Sequence, residues 1–95
     1  MLYGIRAAMV NIRTQIRRNS QLTISQLIRI WAPASDGNNT AQYIRRVCKT
    51  TNRPAGEWLD FSDKAQIVDV AHAMAIVEVG RDLDIDWFKS AYDMI

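Results

Sequence analysis

Apolar residues recur along this chain with helical spacing. Ile5, Met9, Ile12 and Ile16 follow at steps of four, three and four, with Ala8 widening the stripe, which predicts an amphipathic helix over residues 4–19. Ile24, Leu27, Ile28 and Trp31 predict a second helix, opened by Thr23 as N-cap and stopped at Ala32-Pro33, where proline removes an amide donor. Residues 33–39 (PASDGNN) form the clearest loop, with Asp36-Gly37 as a turn pair. Asn39 or Thr40 then caps a third helix over residues 41–50, with Tyr43 or Ile44 and Val47 inward and Gln42, Arg45, Arg46 and Lys49 outward. A break at residues 51–60 centres on Pro54-Ala55-Gly56. Ser62 is the expected cap of a fourth, strongly apolar helix running to Gly80, whose lack of a Cβ suits a helix C-terminus. Trp87, Phe88, Ala91 and Tyr92 share helical spacing near the end, so that segment should dock through its aromatics. No alternation of period two, internal repeat or long linker interrupts this pattern. The expectation is an all-α fold, one compact bundle of four to five short helices formed by residues 1–95.

Composition narrows the picture without naming an activity. At 95 residues with 48% hydrophobic and 23% charged side chains, the chain has the make-up of one ordinary globular domain. A single cysteine, Cys48, cannot form an internal disulfide, so a reducing interior is the default setting. No apolar run approaches the roughly 20 residues of a membrane-spanning helix, and no membrane partner is expected.

Charge changes the picture more. Residues 1–53 carry nine bases (Arg6, Arg13, Arg17, Arg18, Arg29, Arg45, Arg46, Lys49 and Arg53) and one acid, Asp36, a net of +8, whereas residues 54–95 net −6. Either the two halves neutralise one another on folding or they present opposite charge to partners. Arg6, Arg13 and Arg17 make a basic stripe on the first helix, and Gln42, Arg45, Arg46 and Lys49 make a second on the third helix. Both stripes are candidates for binding an acidic partner or nucleic acid, and Arg6, Arg13 and Arg17 could add to the footprint of the third helix. The same face could meet phosphates in a helix-turn-helix arrangement, although residues 32–39 give an eight-residue connection where that motif uses three or four. The exposed loop offers Ser35, Asp36 and Asn38 as further contact residues.

Catalytic and cofactor motifs are weak. Four scattered glycines make no phosphate-cradling loop, and one histidine with one cysteine cannot build a structural zinc site. Asp82, Asp84, Asp86 and Asp93 imitate calcium-loop spacing, but Trp87 stands where the tight turn requires glycine. Those acids are better read as favourable charge at the start of the last helix. Glu78, at the end of the fourth helix, resembles the helix-terminal glutamate of peptidoglycan hydrolases and would be the general acid of such a module. The chain that follows it is too short to add a sugar cleft. We therefore expect no enzyme, cofactor or metal.

One resemblance adds a setting. Gly4-Ile5-Arg6-Ala7, Leu22-Thr23-Ile24, the block from Ile28 through Trp31-Ala32-Pro33, and Asn38-Asn39-Thr40-Ala41-Gln42-Tyr43-Ile44 with Val47 resemble a family of small phage and prophage virion proteins. Glu78-Val79-Gly80 is similar to that family's closing element, so the likeness spans about residues 4–80. The loop departs from the usual pattern at Ala34-Ser35-Asp36-Gly37, and residues 11–15 lack the usual aromatic. The resemblance implies a non-enzymatic structural or interaction protein of a virion or of the infected host cytoplasm, with a protein partner or virion component, and no catalytic residues.

Overall fold

The computed structural model describes residues 2–95, with side chains from Gly4 onward. Five α-helices span them: α1 Leu2–Arg18, α2 Ile24–Trp31, α3 Thr40–Thr51, α4 Lys64–Val79 and α5 Ile85–Asp93. The fold is all-α, and the only strand-like pairing among the described residues is an isolated antiparallel bridge between Thr23 and Trp58. The radius of gyration is 12.2 Å, against about 12 Å for a folded chain of this length.

Local chemistry sets the helix ends. Thr23 and Gln26 form a reciprocal capping box: the Thr23 hydroxyl accepts from the Gln26 amide at 3.2 Å and the Gln26 side chain accepts from the Thr23 amide at 2.9 Å. Asn39 caps α3 by accepting from the Gln42 amide, and Asn52 ends that helix in the left-handed conformation (φ 56°). The cap of α4 is Asp63, not Ser62. Ser62 instead donates through both its amide and its hydroxyl to Asp60 Oδ1, which holds that carboxyl below its ordinary range. Gly80 closes α4 at φ 79°, a region open to glycine at little cost. Asp84 caps α5, so the acidic run does serve that helix's first turn.

The packing order differs from the chain order. α1 lies mainly on α5, α5 on α4, α4 on α3, and α3 on α2. Central α4 is therefore buried around much of its circumference, through Ile67, Val68, Val70, Ala71, Ala73 and Met74. Ile5, Met9 and Ile12 of α1, Ile24, Leu27 and Ile28 of α2, Val47 of α3 and Phe88 of α5 complete the core. Two expected anchors are only partly inward. Trp31 is half-buried, and Trp87 is 42% exposed because its neighbour Phe88 occupies the inward position one residue later.

The α2–α3 loop is closed by its own hydrogen bonds. A single 3₁₀ turn, Ala34–Asp36, ends at Gly37 (φ 84°), and the Thr40 hydroxyl donates to the Ala32 carbonyl at 2.6 Å. Ala32, Pro33, Asn38, Asn39 and Thr40 of the Trp-Ala-Pro to Asn-Asn-Thr block thus take part in hydrogen bonds that shape the loop or cap α3. Thr40→Val, which keeps the shape and removes the donor, is expected to cost about 1 kcal/mol. Thermal unfolding should show this as a fall in Tm of about 4–8 °C.

Candidate interaction surface

The two charge halves meet in space with little direct ion pairing between them. Among the described residues, Arg53 is the one base of residues 1–53 with a carboxylate within ion-pair distance, to Glu57 (2.9 Å) and Asp69 (3.0 Å). Its hydrogen bond to Asp69 and then that to Glu57 hold the guanidinium in its charged form, against the opposing effect of burial. The remaining pairs, Lys64–Asp93 and Lys89–Asp86, lie within the acidic half. Arg6, Arg17, Arg45, Arg46 and Lys49 stand exposed, as do Gln42 and the loop residues Ser35, Asp36 and Asn38. Asn38 donates to the Pro33 carbonyl and so is committed to the loop's own shape.

The basic residues do not merge into one footprint. Arg13 and Arg17 line a cleft of about 260 Å³ with Phe61, Ser62, Tyr92 and Ile95, where the Arg13 guanidinium lies 6.0 Å from the Phe61 ring centroid. Arg46 and Lys49 line a second cleft, of about 440 Å³, with Thr50, Ile76, Val77, Gly80, Arg81 and Asp82. Phe61 and Ser62 precede α4 whereas Gly80 and Arg81 follow it, so the clefts sit at opposite ends of a 16-residue helix, about 24 Å apart along its axis. Gln42 and Arg45 share the exposed side of α3 but belong to neither cleft.

The second cleft gathers three cations, with Asp82 also in its lining. Arg46, Lys49 and Arg81 converge from two elements, with no carboxylate within ion-pair distance of any of them among the described residues. The Thr50 hydroxyl and half-buried Ile76 and Val77 supply a polar contact and an apolar wall. Sequence reasoning assigned Arg81 to the acidic half and missed it, since only the approach of α3 to the end of α4 brings it to Arg46.

Glu78 occupies a different place. It lies at the exposed edge of an apolar cavity of about 290 Å³, where it is the only acidic residue of the lining. The Tyr43 hydroxyl, on a buried ring, reaches Glu78 Oε1 at 3.1 Å and the Met74 carbonyl at 3.2 Å, and shares its one proton between them. Burial first, and then the Glu78 carboxylate, push the Tyr43 phenol far above its ordinary range, so it remains a donor. Glycoside hydrolysis uses two carboxyl groups about 5–9.5 Å apart; the cavity lining offers one.

The remaining candidates have local roles. His72 Nε2 lies 2.7 Å from the Leu83 carbonyl, with its ring edge-on to Phe88 at 5.2 Å. Cys48 is half-buried, and burial raises its thiol, which favours the unreactive protonated form. No three His, Cys, Asp or Glu side chains gather into a metal-holding group among the described residues. No described helix is long and apolar enough to cross a membrane.

The described residues form an all-α bundle that bears these two arginine-lined clefts and this apolar cavity. No family model, curated protein or solved structure matches the chain.

Proposed function

We propose that this chain is a small non-enzymatic interaction protein, virion-associated and of phage or prophage origin, that holds an acidic protein partner with the cations of its basic half. The observation that carries this reading is the unneutralised charge: among the described residues, Arg53 is the one of the nine bases in residues 1–53 that meets a carboxylate. The resemblance of the Trp31-Ala32-Pro33 to Asn39-Thr40 block to small virion proteins supports the setting, in a particle or in the host cytoplasm. The cleft of Arg46, Lys49 and Arg81 is the preferred contact, because its apolar wall fits a segment that mixes acidic and apolar residues.

Charge spacing favours acidic protein over nucleic acid. Duplex DNA carries one charge per about 1.7 Å of axis. Laid across this cleft it would bring phosphates toward Asp82, which lines the same cleft beside Arg81. A flexible acidic segment can set its carboxylates on the three cations and keep them off Asp82. A lone Glu78 beside apolar walls supports a binding role for that residue over an acid-catalytic one.

Poly-glutamate and a DNA duplex, titrated over a salt series, test the reading. Poly-glutamate should bind at low salt, weaken as salt rises, and lose at least tenfold in affinity when Arg46, Lys49 and Arg81 are all changed to Ser. Tighter binding to the duplex, with a steep salt slope, would transfer the function to nucleic acid. Absence of binding to either would remove it.

A further inference from the structure

The apolar cavity lies between α1 and α4, whose backbones make few close approaches. α1 leans on α5 rather than on α4, and where α1 and α4 face one another both present small residues, Gly4 and Ala8 against Ala71 and Ala75. Ile12, Met74 and Phe88, each at most 3% exposed, line the depth of the gap, and half-buried Trp31 adds a wall. Among the described residues, a Cβ placed on Gly4 would meet no atom within 4 Å. At about 290 Å³ the space is near the lower bound for small-molecule sites, about 300 Å³. A dry cavity of about 150 Å³ already takes benzene, so this one accommodates a two-ring body.

Its one charge selects the ligand. Among the described residues, Glu78 is the sole ionisable residue of the lining, and no Lys or Arg lies within ion-pair distance of it. Tyr43 positions Oε1 and leaves Oε2 without a side-chain partner among the described residues. Glu78 is exposed, so it attracts a cation with the modest, salt-screened strength of a surface charge. It repels an anion equally, and gives a neutral apolar molecule nothing beyond burial.

We propose that this cavity binds a small hydrophobic amine, with the apolar body between α1 and α4 and the ammonium group on Glu78. The inference is independent of the basic clefts and of the acidic partner assigned to them.

Tryptamine and indole-3-propionate, alike in their ring system and opposite in charge, are the probes. Titrations followed by methyl and indole resonances should show tryptamine shifting Ala8, Ile12, Trp31 and Ala75, with an affinity at least tenfold above that of the acid. Glu78→Gln should erase that preference while leaving the ring-dependent shifts in place. Ala75→Leu should fill the gap and abolish both, and Ala8→Leu, from the opposite wall, repeats the test if the first substitution disturbs folding. No shift at millimolar tryptamine would overturn the proposal. So would equal affinity for amine and acid, or a preference that survives in Glu78→Gln.

Discussion

Phe88→Ala is expected to lower the unfolding free energy by about 3–5 kcal/mol, a large share of the roughly 5–14 kcal/mol typical of a chain this long. Phe88 is 1% exposed and is the one large side chain that α5 buries fully. α5 also stands between α1 and α4 in the packing order, so α1 depends on it for its main support. The ring already borders the apolar cavity. Truncation therefore enlarges an existing void instead of opening one that neighbours can collapse into, which places the cost toward the upper end. Urea unfolding should show a lower midpoint with little change in slope. Trp87→Ala provides the contrast: that indole is 42% exposed and should cost less than about 1 kcal/mol. A reversed order of the two costs would mean that α5 docks through its other face.

This contrast shows where sequence reasoning succeeds. Ile5, Met9 and Ile12 are legible because a stripe of period 3.6 has one inward solution, and the Thr23 cap is legible because it acts within three residues, whereas at α3 the same rule admits both Asn39 and Thr40 and the structure uses Asn39. Trp87 and Phe88 are adjacent aromatics that both fit a helical stripe, and only the position of α4 and α1 decides between them. Ser62 and Asp63 pose the same problem at a cap: both are good caps one residue apart, and Asp60 settles it by taking Ser62. The surface was less legible than the fold. Opposite net charge in two halves says nothing about separations in space, so the sequence leaves open whether arginines and carboxylates pair. It also leaves Arg81 among the acids, although the structure sets it beside Arg46 and Lys49. A gap between helices has no sequence signature, because Ala8 and Ala75 read as ordinary helix residues.

Gln66→Leu is the second large effect, expected at about 2–3 kcal/mol from hydrogen bonds alone. A polar residue in the first turn of α4 reads as solvent-facing, yet Gln66 is 4% exposed. Its Oε1 accepts from the Asp60 amide at 2.8 Å, and its Nε2 donates to the Trp58 carbonyl at 2.7 Å and to Glu57 Oε2 at 2.9 Å. One side chain thus satisfies the backbone of the 57–60 segment, which in turn pairs with the start of α2 through Ile24 to Glu57 and Leu59 to Leu22. Leucine fills nearly the same volume, so the loss isolates the unpaired Asp60 amide and Trp58 carbonyl from any cavity term. Amide exchange should therefore quicken at Ile24, Leu59 and Asp60 more than in α5. Gln66→Glu separates donor from shape. At neutral pH it sets a carboxylate against Glu57 and the Trp58 carbonyl, so it should be worse than leucine. Those neighbours raise the new carboxyl's folded pKa above its unfolded value. Its deficit must then shrink as pH falls through that folded value, because the protonated group regains one donor. A Gln66→Glu variant whose stability deficit stays constant from pH 7 to pH 4.5 would show that the side chain does not face those acceptors.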